Sequence, residues 1–478
     1  MKNAKKGGVI LAANTVDTRY ENSSNVASKF LLTSAFYLVV VAIVGIIMAL
    51  MLVRPDIFPN TLNFIGLRAI HLQAIIFGWL TMAIFGAYYH IIPRIAKTDL
   101  VSRKLGNLHY YLMHVAIAAV VVTLLMGQNT GREYNEPVWY LSVVVVIIWL
   151  LFFGNIMATI IKGKNNIPKF SPALVFMVLS ALYLGINYLW SNFIPWTGVQ
   201  QNLNVWTWAH NAVNGWFMFS IQGIFYYVVP KMTGLEGKDA PYPHFLTKLH
   251  FIAVAIFIPP SVLHHLLYNE APVNDFWKYM GEWTSVGMLI PTFIWFYIIL
   301  VCIKNSKKPL GLSGKFVLAT IIFYVMNCLQ GSLQSIRFVN DYTHATQWVI
   351  GHAHLALLGF ISFGVFSFTY WILGRYYGAD SYSVKLGNLH FWTVLVGFLG
   401  MFIPLTIAGL IEGSMRGTEF YTIHEAILPY LNARVVFGFV ALFSFAVYLV
   451  NIWKVITAAR ATGFKPQSSE VAGIESVN

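Results

Sequence analysis

The chain has 478 residues, of which 58% are hydrophobic and only 10% are charged, and its formal net charge is +13. A soluble domain is usually about 25% charged, so this composition excludes an ordinary soluble protein and indicates a membrane protein. A strongly basic balance is also typical of nucleic-acid binding, but the positions of the basic residues argue against such a partner.

Twelve apolar segments are long enough to span a bilayer, which takes about 20 apolar residues. They predict transmembrane helices at residues 30–53, 64–92, 106–126, 138–161, 171–193, 204–229, 249–268, 280–303, 315–336, 346–373, 388–411 and 430–453. The sequence therefore predicts an all-α polytopic membrane protein. Residues 1–29 are expected to form a cytoplasmic N-terminal segment, and residues 457–478 a disordered cytoplasmic tail.

The lysines and arginines indicate how these helices are oriented. If the N-terminus is cytoplasmic and twelve helices alternate, only seven of the 31 basic residues fall on the outer side: Arg54, Arg68, Arg132, Lys278, Arg337, Arg416 and Arg434. An excess of Lys and Arg in cytoplasmic loops is the general rule for membrane proteins. The charge therefore reports topology, and both termini are expected in the cytoplasm.

Similar strings recur every four helices. The third, seventh and eleventh spans open with Lys104–His109 (KLGNLH), Lys248–His250 (KLH) and Lys385–His390 (KLGNLH). The second, sixth and tenth spans end with similar aromatic and basic strings: Tyr88–Arg94, Tyr226–Lys231 and Tyr370–Arg375. Such residues are common at any membrane interface, but this does not explain why the strings recur at the same position in each group of four helices. The pattern predicts three pseudo-repeated four-helix arcs, whereas a six-plus-six transporter would repeat every six helices.

Several histidines lie at one depth within the predicted helices. His71, His210 and His352 lie 20 to 22 residues before the exit-motif residues Pro93, Pro230 and Gly374, and His264 and His265 lie near the outer end of the seventh span. A single membrane histidine is as often a packed side chain as a ligand, but a set at common depth and phase indicates function. Five others near the inner helix ends are interpreted as ordinary interfacial side chains: His90, His109, His244, His250 and His390.

The directions of these histidines indicate metal binding. His352 and His354 are two residues apart, about 200° on a helix, so one helix can ligate two haems on opposite sides, with His71 as the second ligand of one of them. A haem with one histidine keeps an open position for a gas. His210, His264 and His265 together offer three imidazoles, which suit copper, zinc or iron.

These residues resemble the catalytic subunit I of the haem–copper oxidase superfamily, in its branch of cbb3-type cytochrome c oxidases and nitric oxide reductases. The resemblance covers the predicted twelve-helix domain, residues 30–456. Its most specific strings are Gly351–His354 (GHAH), His264–His265, Trp208–Val213 (WAHNAV) and the exit of the sixth span.

The resemblance implies roles for six histidines. His352 is expected to be the proximal ligand of a high-spin haem b3, and His71 and His354 the axial ligands of a low-spin haem b. The remaining three, His210, His264 and His265, are expected to hold a third metal, which is copper B in the oxidases and non-haem iron in the nitric oxide reductases. His352 and these three form the expected catalytic pocket.

The resemblance also implies roles for charged residues. Gly131–Glu136 (GREYNE) resembles a segment near the haem propionates where calcium can bind, and Glu133 and Glu136 are the oxygen ligands that calcium prefers. Arg434 resembles a propionate partner, since a guanidinium binds carboxylates with two parallel hydrogen bonds. The alternative for these charges is a solvated outer loop.

The sequence departs from the family at residues that handle protons. Ile258 stands where cbb3-type oxidases have a tyrosine linked to a ligand histidine, Gln330 replaces a glutamate, and Phe293 falls near a polar position of their proton path. Asn214 and Met288 fall where nitric oxide reductases carry glutamates. Asn214 is interpreted mainly as a packing residue or a hydrogen bond between helices.

The missing tyrosine favours one substrate. Splitting O–O uses an electron and a proton from the tyrosine. Joining two NO molecules takes only two electrons and two protons and needs no such tyrosine, so the sequence favours reduction of NO to N2O. The alternative is a cbb3-type cytochrome c oxidase that reduces O2 to water, and a remote alternative is a twelve-helix transporter without haem.

The resemblance also implies partners and location. The chain has no C-x-x-C-H motif for a covalent c-type haem, so we expect electrons to arrive from a separate c-type cytochrome subunit on the outer face. The expected location is the bacterial inner membrane, within a respiratory electron-transport chain.

Overall fold

The structure is a computed structural model that describes residues 18–59, 62–236, 241–267, 272–378 and 381–461. Within these parts the chain is helical without strands, and twelve helices are long and apolar enough to cross a membrane. They are α1 (Glu21–Val53), α2 (Phe64–Ile95), α3 (Arg103–Leu125), α4 (Trp139–Lys162), α5 (Pro172–Phe193), α6 (Gly198–Thr233), α7 (His244–Leu266), α8 (Asp275–Lys304), α9 (Gly311–Gln334), α10 (Gln347–Tyr377), α11 (Val384–Ser414) and α12 (Phe420–Ala461). The predicted all-α fold of twelve membrane helices is confirmed.

Three helices form the centre of the bundle. In their most apolar stretches, α2, α6 and α10 bury 67–83% of their residues, against 28–44% in the other nine. The three central helices contact one another, and the others surround them in the order α1, α3, α4, α5, α7, α8, α9, α11 and α12, with α12 closing the ring against α1. Each central helix thus takes the same place in its group of four, which confirms the three pseudo-repeated arcs.

The three central helices also widen at equivalent positions. Each contains a π-helical segment shortly after its histidines, at Ala74–Thr81, Ala212–Met218 and Leu355–Ser362. Hydrogen bonds in a π-turn span five residues instead of four, and such turns are frequent at functional sites. The repeat therefore includes a local distortion of the backbone as well as the helix order.

The inner ends of the arcs share a buried tyrosine–histidine contact. Tyr89 Oη lies 2.9 Å from His109 Nδ1, Tyr226 Oη lies 2.9 Å from His250 Nδ1, and Tyr370 Oη lies 3.2 Å from His390 Nδ1. Each pair joins a central helix to the helix that follows it. We name these contacts the inner-end pairs.

The interfacial interpretation is therefore wrong for four of the five histidines to which it was applied. His109, His250 and His390 are fully buried, and His90 is 2% exposed; of the five, His244 alone is exposed. Tyrosine hydroxyls and surrounding phenylalanine rings replace the solvent that an interfacial histidine would contact.

The first helix begins at Glu21, inside the segment 1–29 that was predicted to precede it. The Asp99 carboxylate accepts hydrogen bonds from the backbone N–H groups of Asn22 and Ser23, both at 3.0 Å. A carboxylate at a helix start satisfies N–H groups that have no partner within the helix, so the helix extends into polar sequence. The last helix continues to Ala461, five residues into the segment 457–478 that was predicted to be a disordered tail, and the rest of that segment lies outside the described residues.

Candidate metal centre

All six histidines predicted as ligands line one cavity. It has a volume of about 690 Å³ and lies between the central helices and parts of α1, α7, α8, α9 and α12. Arg434 and Glu133 also line it, as do Asn214, Ser261 and Ser285. The six histidines that the sequence grouped together thus line the same cavity in the structure.

Three of the histidines form a cluster that could hold a metal ion. His210, His264 and His265 each offer one nitrogen within 4.8 Å of the others. The ring centroids lie 5.0 Å apart for His210 and His264, 5.4 Å for His210 and His265, and 4.3 Å for His264 and His265. This is the grouping that the sequence predicted.

The local sequence explains how two consecutive histidines reach one centre. Pro259 and Pro260 lie inside α7, and directly after them the helix tightens to a 3-10 turn at Val262–Leu266, which contains both histidines. The His265 ring stacks on Trp206 of α6, with centroids 4.4 Å apart and an angle of 8° between the planes. This stacking keeps His265 beside His264.

In each of the other three histidines, Nδ1 lies within hydrogen-bond distance of an oxygen that has no proton and can only accept a hydrogen bond. Nδ1 of His71 lies 3.0 Å from the Val41 carbonyl oxygen, that of His354 lies 2.8 Å from the Ile350 carbonyl, and that of His352 lies 3.2 Å from Gln330 Oε1. Nδ1 must therefore carry the proton. Each ring is left with the bare Nε2 that a metal ligand needs.

Two glycines make room for these rings. A Cβ at Gly45 of α1 would lie 2.9 Å from His71 Cε1, and one at Gly331 of α9 would lie 3.3 Å from His352 Cε1. Side chains at these positions would push the imidazoles out of place, so close approach of the backbone is part of the site.

The charged residues predicted around the site have distinct partners. Nη1 of Arg434 is buried and has no hydrogen-bond partner within the part of the chain that the structure describes. Glu133 pairs with Arg68. The carboxylate of Glu136 accepts from Gln73 Nε2 at 2.6 Å and from the backbone N–H of Tyr134 at 2.9 Å. Burial raises the pKa of the Glu136 carboxyl above its usual value.

Sequence reasoning missed several contacts and underrated one. Ser261 Oγ contacts Nε2 of His210, and Ser285 Oγ contacts Nδ1 of His264. Nothing in the spacing of these serines distinguishes them from other serines in membrane helices. Asn214 was interpreted mainly as packing, yet its Nδ2 lies 3.1 Å from His210 Nε2. Its position four residues after His210 was the available signal.

The chain resembles known proteins over most of its length. Residues 25–440 match the family model described as "Cytochrome C and Quinol oxidase polypeptide I". The chain is 25% identical over 466 residues to the Cbb3-type cytochrome c oxidase subunit CcoN1 of Stutzerimonas stutzeri, covering 92% of this chain and 96% of that one. It is 23% identical over 417 residues to a nitric oxide reductase subunit of Stutzerimonas stutzeri, covering 82% and 84%.

A solved structure has the same fold. A heme-copper terminal oxidase dimer superposes with a TM-score of 0.73 at 14% sequence identity, covering 91% of this chain and 84% of that one. With the family match spanning residues 25–440, the chain therefore belongs to the family of cytochrome c and quinol oxidase polypeptide I, an oxidoreductase subunit of the haem–copper superfamily.

Proposed function

We propose that this chain is the catalytic subunit of a respiratory terminal reductase that reduces NO to N2O. Its histidines would hold a low-spin haem b, which would accept electrons from a c-type cytochrome, and a centre made of a high-spin haem b3 and a third metal. The observation that carries the proposal is one cavity lined by a three-imidazole cluster and by three further imidazoles whose Nδ1 atoms are already committed.

The residues present fit these groups. The cavity of about 690 Å³ is within the range of cofactor-sized sites. Nε2 of His71 and His354 suit a haem with two axial histidines, and Nε2 of His352 suits a haem with one. The unpartnered nitrogen of Arg434 suits the carboxylates of a haem. When bound, the haems supply electron transfer and an open iron position, and the third metal a second reducing centre.

The protein's own residues hold and orient these groups. The main-chain carbonyls of Val41 and Ile350 fix the rings of His71 and His354, and Gln330 fixes that of His352. The apolar walls around them, such as Leu357 and Phe445, exclude bulk water. His210, His264 and His265 would hold the third metal in the cavity that His352 also lines, and a diatomic gas would bind there.

The choice of NO over O2 rests on Ile258. Its side chain is 2% exposed in α7, and an isoleucine can donate neither an electron nor a proton. The reduction of O2 by a cbb3-type cytochrome c oxidase remains the second candidate, since relatives named for each activity match the chain over most of its length.

A calcium ion on Glu133 and Glu136 belongs to the same proposal, as does a c-type cytochrome partner on the outer face. Glu133 already has a cationic partner in Arg68, so calcium would share or replace that contact. Elemental analysis of the purified complex measures calcium, copper and iron together.

Turnover of the purified complex tests the substrate. We expect consumption of NO with stoichiometric N2O, two haems of b type per chain, and one further copper or iron. H352A and H71A should each lose one haem, whereas H424A, at a half-buried histidine of α12 outside the cavity lining, should lose none. Rapid O2 uptake without NO turnover would contradict the choice of substrate, and full pigment in H352A and H71A would contradict the site.

A further inference from the structure

In two of the three clustered imidazoles, one ring nitrogen lies within hydrogen-bond distance of a serine hydroxyl. His210 Nε2 lies 2.9 Å from Ser261 Oγ, and His264 Nδ1 lies 2.7 Å from Ser285 Oγ. Both serines are buried, at 2% and 5% exposure. They come from different helices, Ser261 from α7 and Ser285 from α8, so two separate elements converge on the cluster.

The proton of each serine hydroxyl is already used. Ser261 Oγ donates to the carbonyl oxygen of Ile258 at 2.7 Å, and Ser285 Oγ donates to that of Gly281 at 2.6 Å. A hydroxyl has one proton and accepts with its lone pairs. Towards the imidazoles, both serines can therefore only accept, so His210 carries its proton on Nε2 and His264 on Nδ1.

We infer that Ser261 and Ser285 are positioning residues for the third-metal centre, each fixing which ring nitrogen of its histidine is bare. The inference rests on the proposed function, because it assigns these bare nitrogens, Nδ1 of His210 and Nε2 of His264, to the metal. A ligand histidine generally donates its other N–H to an oxygen, which fixes its tautomer and orientation. Serine oxygens take that place here.

Asn214 offers the competing arrangement at His210. Its Nδ2 lies 3.1 Å from His210 Nε2 and also 3.1 Å from the His210 carbonyl oxygen. An amide N–H can donate to Nε2 only if that nitrogen has no proton, which places the proton on Nδ1 and blocks it for a metal. Serine and asparagine thus require opposite tautomers, and only the serine tautomer leaves His210 competent as a ligand through Nδ1.

Metal retention by the purified complex tests the inference. The ratio of third metal to haem is measured after dialysis against a graded series of chelator concentrations, with haem quantified as the pyridine haemochrome. We expect S261A and S285A each to weaken metal retention about 10- to 100-fold with both haems kept. The conservative variants S261T and S285T keep the hydroxyl and should restore retention.

Ser335 provides a matched control. It is fully buried, and its Oγ donates to the carbonyl of Ser332 three residues earlier at 2.7 Å, which is the geometry of Ser261 and Ile258 without a histidine. S335A should therefore retain the metal, and so should N214A, because the asparagine does not support the ligand tautomer.

The outcomes separate the inference from the function it rests on. A wild-type complex with both haems but no third metal would contradict the proposed function. A wild-type complex that holds the metal, with equal retention in S261A and S285A, would overturn the inference alone. Loss in S335A, or loss in N214A with retention in S261A, would overturn it too. The two serines are assayed separately, so a variant that does not fold leaves the other to decide.

Discussion

Single hydrogen bonds decide how the histidines of this site can act. His71 and His354 are fixed by main-chain carbonyls, which no substitution of a side chain removes. His352 depends instead on Gln330, a side chain that stands where the sequence resemblance expects a glutamate. The neutral amide oxygen accepts from Nδ1–H without drawing its proton away, so the proximal imidazole stays less basic than a carboxylate would make it.

Q330E should therefore lower the midpoint potential of the high-spin haem. A charged acceptor strengthens the bond to Nδ1 by about 1 kcal/mol, which corresponds to a shift of about 40 mV for one electron. A spectroelectrochemical titration measures it. Q334E is the control: Gln334 lies one turn further along α9 and accepts from Trp348 Nε1 at 2.9 Å rather than from a histidine. Equal shifts in the two variants would mean that charge alone, not the hydrogen bond, sets the potential.

The sequence could predict the ligands at this scale but not their supports. The histidines were recognisable because a polar ring is rare and costly in a membrane. Ser261 and Ser285 were not, because a serine satisfies its own helix backbone and costs little wherever it lies. Gln330 was visible as a departure, yet its contact with His352 depends on the rotation of α9 against α10, which the sequence does not specify.

At the scale of elements, the inner-end pairs join each central helix to its successor. In each pair the histidine Nε2 is buried without a hydrogen-bond partner among the described residues, so the tyrosine hydroxyl provides the ring's polar contact. The repeated strings in the sequence contained both partners. These strings were assigned to the membrane interface because basic and aromatic residues usually lie there. The helix contacts that bury the tyrosines and histidines are distant in sequence, so the strings alone could not reveal them.

Removing a hydroxyl from an inner-end pair should destabilise the protein. Y89F, Y226F and Y370F each leave a buried histidine nitrogen unpaired, which costs about 1–3 kcal/mol. Thermal unfolding of the purified complex in detergent measures the effect as a lowered midpoint. Y297F, at a half-exposed tyrosine of α8, should leave the midpoint unchanged. Equal midpoints in all four variants would show that the pairs contribute nothing to stability.

At the scale of the whole molecule, the number and order of the helices followed from the lengths of the apolar runs. Their ends did not, because Asp99 extends α1 to Glu21 through contacts distant in sequence. The inner position of α2, α6 and α10 could be inferred only from the phase of the repeats. Their apolar residues do not distinguish contact with lipid from contact with protein, since both environments are apolar.

The distribution of charge predicts the orientation of the bundle. We expect a fluorescent protein fused to the C-terminus of the full chain to fluoresce, and alkaline phosphatase fused there to be inactive, because Lys and Arg concentrate on that side. A phosphatase fused after Met126, at the end of α3, should be active. The reverse pattern would place the cavity near the cytoplasm and rule out an outer-face cytochrome as the electron donor.

The π-helical segments of the central helices restrict where this chain can accept insertions or deletions. A π-turn accommodates one more residue than an α-turn, and one residue corresponds to 100° of rotation about a helix axis. If a single deletion within Ala74–Thr81 restored an α-turn, it would rotate His71 by about 100° relative to Tyr89. His71 could then no longer point into the cavity while Tyr89 keeps its contact with His109. We therefore expect substitutions in these segments to be far better tolerated than insertions or deletions.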